Sequence, residues 1–414
     1  MKKKYISFLL ILILISTTLT GCTNGSSIEN AAYVVAIGID KGTTNKIKLS
    51  LQFALPMGIS GGGSTSGSGG SSQSSTSEVI SVECSNIDSG INLINSYLSK
   101  KVNLSHCKAI TISQNLAYDG VSEYIYTLAN NVQIRPDCYV IVSRCDAYDF
   151  LDKSKSTLET LSAKYYDLIL NSSKYTGYSD AVRLSEFYSN ITDSSCQAYA
   201  ISGGINSKDT QFTDTNIPTY DLDSIYKAGE SPLSNESGLE NIGLAVFNGD
   251  RLVGELNSLE TLCHLIIVNK LETAIVSIPS PFNKDETIAL SIELESKTTN
   301  SVEFINTFPY IKSYVRINAN VSSLNSHYNY SDKENIRLLE EYASNYLENN
   351  ISNYLYKTAK EFKSDIAGFG IYARKYYWTL EDWNNSDWLN NYENSFFDVK
   401  VDVNVKGSYL FNKL

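Results

Sequence analysis

Apolar and polar residues change their spacing several times along this chain, and each change marks an element. Ala32–Asp40 (AYVVAIGID) is an almost unbroken apolar run rich in β-branched residues, which predicts a buried strand ending in a turn at Asp40-Lys41-Gly42. Lys46–Leu55 alternates Ile47, Leu49, Leu51, Phe53 and Leu55, a period of two, and so makes a hairpin with the first run. Ile59–Ser77 is almost entirely Gly and Ser, a flexible coil with nothing to bury. Because Glu78–Cys84 resumes a strand pattern, the coil interrupts a sheet rather than separating two domains. Ser89–Lys100 carries Ile91, Ile94 and Leu98 at helical spacing, His106–Ser113 is strand-like, Val121–Asn130 places Val121, Ile125 and Leu128 on one helical face, and Tyr139–Ser143 is again a strand. Short strands alternating with helices predict an α/β-like layer from residue 31 to about 150.

Further on, Ser156–Leu170 and Ser179–Tyr188 read as helices, and Ala198–Ile205, Gly243–Phe247 and Arg251–Leu256 as strands. The last two meet at Asn248-Gly249-Asp250, a strong hairpin signal. Asn206–Ser237 is polar and turn-rich, a long irregular connection, and Leu259–Val268 fits a helix through Leu262, Leu265 and Ile266. From Glu272 the pattern changes. Ala274–Pro279, Ile288–Leu294, Ser301–Phe304 and Tyr310–Asn320 are strands. Lys333–Lys363 is a long amphipathic helix with Ile336, Leu339, Ala343, Tyr346, Ile351, Tyr354, Leu355, Thr358 and Phe362 along one face. Ser331 stands as its N-cap, with Glu334 three residues on completing a capping box. Gly368 and Gly370 follow the helix, where glycine often takes a positive φ. Val399–Val405 alternates as a final strand, so residues 271–414 read as a separate α+β unit.

The amino terminus changes this picture from a free protein to a tethered one. Lys2-Lys3-Lys4 precedes an apolar run from Tyr5 to Leu19, and Leu19-Thr20-Gly21-Cys22 closes it. A basic start, a short apolar middle and small residues at a cleavage point make a secretory signal, and the run is shorter than the roughly 20 residues needed to span a bilayer. The Leu-Thr-Gly-Cys end is similar to the lipobox of bacterial lipoproteins, in which the thiol takes a diacylglyceryl group and cleavage falls just before it. Cys22 is therefore the expected lipid attachment site and first residue of a mature chain with 393 of the 414 residues. Thr23–Asn30 is polar and serves as tether.

Loss of the signal with its three lysines takes the formal charge from −11 to −14. Such a chain does not gather on nucleic-acid phosphates or anionic lipid by charge alone, so nucleic-acid partners are not expected. Six cysteines remain: Cys84, Cys107, Cys138, Cys145, Cys196 and Cys263. Export permits disulfides, but the spacing suggests no framework and several cysteines sit in apolar contexts, which favours buried free thiols. Cys138 and Cys145 are the pair to test first for a bridge.

Candidate chemistry is sparse. Gly58-Ile59-Ser60-Gly61-Gly62 fits G-x-S-x-G, yet a nucleophile elbow needs a strained strand-to-helix turn and Ser60 opens a Gly/Ser coil. His106-Cys107 and Cys263-His264 lack metal-ligand spacing and read as small buried thiols beside partly exposed imidazoles; His327 stands alone. There is no phosphate-binding glycine motif. Asp40, Glu255, Asp365 and Asp382 could pair in space, with Asp40 better placed to cap a turn. The aromatic stretch from Tyr372 to Tyr392 reads as core. No catalytic residue, cofactor or metal is expected.

Four stretches, taken in order, resemble the Ger(x)C family of spore germination lipoproteins, the C subunit of nutrient germinant receptors: the lipobox at Cys22, Val34–Asp40 (VVAIGID), Gly243–Leu256 (GLAVFNGDRLVGEL) and Lys357–Gly370 (KTAKEFKSDIAGFG). The Trp383 and Trp388 region and the alternating last strand also fit. The resemblance implies a three-domain α+β lipoprotein on the outer face of the inner spore membrane. It would assemble with two membrane subunits, one transporter-like and one A-type, and carry no catalytic residues. The chain then divides into signal (1–21), tether (22–30), N-terminal domain (31–197, with the 59–77 insertion), a small middle β-rich domain (198–270) and a C-terminal domain (271–414) with an antiparallel sheet and the long helix. The function this implies is that of a lipid-anchored, non-catalytic receptor subunit. The alternative is an extracytoplasmic lipoprotein that binds a small solute directly, which a deep interdomain pocket would favour.

Overall fold

The computed structural model describes residues 4–8, 28–55, 77–154, 162–206, 225–232, 238–283, 286–324 and 332–406. Cys22, Ser60, His327, Ser331 and the 59–76 coil lie outside them, as does most of the 206–237 connection.

The first half is built on one mixed sheet. Its strands are β1 (Ala31–Lys41), β2 (Ile47–Ala54), β3 (Ser77–Cys84), β4 (Lys101–Asn103), β5 (Ala109–Ser113), β6 (Tyr139–Ser143), β7 (Tyr199–Ile205), β8 (Leu239–Asn248) and β9 (Arg251–Leu256). They lie in the order β3-β2-β1-β5-β6-β7-β8-β9, with β4 alongside the start of β1. The central strands β1, β5, β6 and β7 are parallel and the flanks antiparallel. β5 and β6 are buried at every position, which is why they read as short solid apolar runs rather than alternating ones. Helices α1 (Ile87–Tyr97), α2 (Gln114–Asp119), α3 (Ser122–Ala129), α4 (Ala147–Lys153), α5 (Ser162–Leu170), α6 (Ser173–Thr176), α7 (Leu184–Thr192) and α8 (Ser258–Ile267) accompany this sheet.

The second half has β10 (Ala274–Pro279), β11 (Thr287–Leu294), β12 (Thr299–Ile305), the 17-residue β13 (Phe308–Leu324) and β14 (Phe396–Lys406). Helix α9 (Lys333–Lys360) is followed by short helices α10 (Gly370–Ala373), α11 (Leu380–Asn385) and α12 (Trp388–Asn391). β11 and β12 pair end to end along one edge of β13, and β14 pairs along the other. β14 buries Val399, Val401, Val403 and Val405 and leaves alternate residues exposed. Its outer N–H groups would form an open sheet edge. Instead Val401, Val403 and Val405 donate to Glu348, Ser344 and Glu340, which recur every four residues on α9. One helix stripe thereby closes the edge that unpaired strands leave open.

The α+β class stands, with corrections of detail. The last strand is parallel to β13, not antiparallel, because the chain returns through α9–α12 before entering the sheet. The strands expected to form a middle domain hydrogen-bond onto the N-terminal sheet, so the 197/198 division falls inside a continuous sheet. Ser179–Arg183 is not helical: Val182 accepts from Val140 N–H at 3.0 Å, and the helix starts at Leu184. Asp332, rather than Ser331, caps α9, its side chain accepting from Glu334 N–H. Cys138 and Cys145 flank β6 at its two ends and cannot meet, and the six described cysteines are unpaired.

Candidate functional site at the seam between the sheets

Two of the family-like stretches face each other. The β8–β9 hairpin turns at Gly249-Asp250, with Asn248 paired to Arg251. Against it lies the segment after α9. Ser364 Oγ donates to the Phe247 carbonyl at 2.6 Å, Asn248 Nδ2 donates to the Lys363 carbonyl at 3.1 Å, and Gln197 N–H donates to the Asp365 carbonyl at 2.9 Å. Gln197 Oε1 in turn accepts from Gly249 N–H at 2.8 Å, so hairpin, β7 approach and post-helix loop form one hydrogen-bonded unit.

Asp365 is the centre of that unit and has no exposed surface. Its carboxyl accepts from Phe369 N–H at 3.1 Å, Gly370 N–H at 2.9 Å and Trp388 Nε1 at 2.9 Å. Burial pushes its pKa up to about 6, against the pull of those donors. Gly368 takes φ +73°, the left-handed region expected of it. Gly370 does not; glycine is needed there for close approach, since a Cβ would stand 2.2 Å from the Ser195 carbonyl and 2.6 Å from Trp388 Nε1. Trp383 donates to Ser194 Oγ at 2.8 Å and stacks on Trp388 at 6.2 Å between ring centroids; Trp388 also packs on Tyr392. This part of the aromatic stretch is core, as its spacing suggested.

A second buried cluster lies where α8 meets α9. His264 Nδ1 is 2.7 Å from the Tyr354 hydroxyl, and its ring meets Tyr199 edge to face at 4.6 Å. Tyr199 donates to Asp180 at 2.7 Å, and Lys270 Nζ reaches Asp180, Glu186 and the Tyr199 hydroxyl at 2.7, 2.5 and 2.8 Å. His264 Nε2 has no hydrogen-bond partner, and burial lowers the imidazole pKa to about 3, so the ring stays neutral. The expectation of a partly exposed His264 is therefore wrong: Cys263 and His264 both lie in a helix buried on nearly every side. His106 is exposed beside buried Cys107, as expected. No motif announced this cluster, because Asp180, Tyr199, His264 and Tyr354 are scattered over more than 170 positions.

The four carboxylates singled out from the sequence do not converge. Asp40 accepts from Ala147 and Tyr148 N–H and caps α4, not a local turn. Glu255 meets Gln114 and Arg144. Asp382 pairs with Thr379. Among the described residues, no three His, Cys, Asp or Glu side chains gather as a metal site. A cleft of about 520 Å³ opens between α8 and α9, and two of its charged lining residues are paired to each other: Lys357 Nζ binds both oxygens of Glu260 at 2.8 and 2.9 Å. No described helix is long and apolar enough to cross a membrane.

Fold and seam together define a two-sheet α+β protein whose buried polar groups fasten its layers to one another. The chain belongs to the Ger(x)C family of spore germination proteins: the spore germination protein N-terminal domain matches residues 24–201, and the spore germination B3/GerAC-like C-terminal domain matches residues 242–409. It is similar to YfkR of Bacillus subtilis (strain 168), 25% identical over 371 residues covering 89% of this chain and 87% of the relative. It is also similar to spore germination protein KC of the same organism, 23% identical over 98% of this chain and 96% of the relative. The crystal structure of the GerBC protein shares the fold, with a TM-score of 0.52 and 14% identity over 90% of this chain and 97% of that one. Membership places the chain in spore germination.

Proposed function

We propose that this protein is the lipid-anchored, non-catalytic C subunit of a spore nutrient germinant receptor. Cys22 carries the acyl anchor, the fold stands on the outer face of the inner spore membrane, and it holds a transporter-like and an A-type membrane subunit in a responsive assembly. The observation that carries this reading is the facing of two family-like stretches across the Asp365 seam. Residues of those two stretches are used to fasten layers rather than to line a reaction centre. Direct solute capture draws less support, because the α8–α9 cleft has its Lys357 and Glu260 paired to each other.

Spores lacking the protein should fail to answer the nutrient of their receptor while a trigger that bypasses receptors still works, and the membrane subunits should fall in amount. A normal nutrient response in the deletion strain, with no paralogue present, would reject this function. Mass spectrometry of the mature protein should find acylated Cys22 as the first residue; tight nutrient binding by the purified protein would favour the solute-binding alternative.

A further inference from the structure

Exposed apolar side chains collect at one end of the second sheet. Trp378 is 99% exposed and Tyr376 56%, on the loop leading into α11, and Leu380, the first residue of α11, is 59% exposed. Beside them Ile305, Phe308 and Phe396 are each about half exposed at the β12–β13 tip and the start of β14. Phe304 joins the two groups through its ring contact with Tyr376 at 5.6 Å, and Phe308 meets Phe396 at 6.4 Å. Arg374 and Lys375 are exposed next to Tyr376, with Glu381 and Asp382 following Leu380. The patch is thus apolar and aromatic with little net charge. That mixture of Trp and Tyr with aliphatic residues settles at the level of lipid headgroups.

The topology sets this patch on the side from which the tether leaves. β1, β5, β6 and β7 are parallel, with Ala36 level with Ala109, Ala109 with Tyr139, and Ile141 with Ile201. Their amino ends therefore share one edge of the sheet. The chain enters β1 at Ala31 on that edge. On the same edge, just ahead of β7, Ser194 holds Trp383 and the Ser195 carbonyl abuts Gly370, the two ends of the aromatic loop. β1 and β7 stand three strand spacings apart, about 14 Å. The six steps from Cys22 to Ile28 reach at most about 20 Å. An acyl group on Cys22 would hold this edge close to the bilayer.

We propose that the Tyr376–Leu380 loop and the adjoining sheet end seat in the headgroup region of the bilayer, a second, non-covalent membrane contact. A single-site tether lets the domain tumble; the second contact fixes which face looks outward. The proposal rests on the lipoprotein reading, and its test keeps the two separable.

Trp383 and Trp388 are 1% and 3% exposed, so Trp378 is the tryptophan open to solvent quenchers. The full-length protein is placed in vesicles of phosphatidylcholine and phosphatidylglycerol, with Trp378→Phe subtracting the buried tryptophans. On vesicles, Trp378 emission should shift to the blue, lose quenching by acrylamide, and gain quenching by spin-labelled lipids carrying the label near the headgroup. Leu380→Glu should restore acrylamide access without loss of fold. Trp378 remaining open to acrylamide on vesicle-bound protein overturns the proposal, and so does protection that appears only with the membrane subunits present, which would make the patch a protein contact. Mass spectrometry of Cys22 on the same sample reads the anchor independently. Should Cys22 be unacylated, vesicles added in excess still decide the docking, because Trp378 either becomes protected or stays open.

Discussion

Asp365 and His264 lie in the same seam, both without exposed surface, and although burial disfavours the charge of each, the protein surrounds them with different partners. Asp365 is surrounded by N–H donors from Phe369, Gly370 and Trp388, which offset part of the cost of burying its charge. His264 has one partner, the Tyr354 hydroxyl, and an Nε2 with none, so it is held neutral by packing. One group locks layers through directed hydrogen bonds to backbone; the other fills a gap between rings. The difference teaches where geometry is specified. The donors around Asp365 fix the path of a glycine-containing loop, whereas His264 makes one side-chain hydrogen bond, to Tyr354, and is otherwise positioned by packing against Tyr199.

The sharpest break of that contrast is Asp365→Asn. An amide presents N–H to one of the positions where the carboxylate accepts, leaving buried donors unpaired at about 1–3 kcal/mol each. The expected loss is about 4 kcal/mol in urea unfolding; a loss under about 1 kcal/mol would show that the donors find other acceptors. Gly370→Ala should cost about 3 kcal/mol by pressing a methyl onto the Ser195 carbonyl and Trp388. A neutral result would mean that the loop can back away from β7.

Much of this was legible in the sequence, and the limits are physical. Tyr139–Ser143, Arg251–Leu256 and Ala274–Pro279 appear with the bounds their patterning implied, because burial on known faces writes itself into apolar spacing. The parallel entry of β14 was not legible, since alternation tells which face is buried and not which way a neighbour runs. The merging of β7–β9 into the first sheet was hidden for the same reason: strand pairing is a non-local choice. At the seam, Gly368 and Asp365 stood in a family-like stretch and could be singled out. Asp180, Tyr199 and His264 could not, because a cluster assembled from separate elements leaves no periodic trace.

The two clusters also predict opposite pH slopes. His264 has a folded-state pKa lowered to about 3, so its stabilisation is present above the ordinary 6.5 and is lost as pH falls from there toward 3. Asp365 has one raised to about 6, so its contribution is present below the ordinary 3.8 and is lost as pH rises through 6. Between pH 4 and 6 the two slopes oppose each other. His264→Gln should remove the acid-side loss, a difference of about 3 kcal/mol from wild type between pH 7 and 4, measured by denaturant titration across pH. Parallel pH profiles for the two proteins would show that His264 titrates normally. Gly368→Ala is smaller again: at φ +73°, with a Cβ meeting only Ile371 and Cys196 at ordinary van der Waals distances of 3.6 and 3.8 Å, the strain is conformational and should cost about 1 kcal/mol.

The smallest stability effect is expected where the functional effect is expected to be large. Trp378 is 99% exposed, so Trp378→Ala removes almost no buried surface. Surface changes of this kind stay within about 0.5 kcal/mol, and the urea midpoint should not move. Trp383→Ala, five residues on, removes a ring only 1% exposed together with its hydrogen bond to Ser194, and should cost about 3–5 kcal/mol. The pair separates the two uses of tryptophan in one loop. If Trp378→Ala destabilised the protein like Trp383→Ala, Trp378 would be a packing residue and the docking face would lose its basis. If it left stability untouched while spores carrying it germinated poorly, the exposed ring would belong to function rather than to folding.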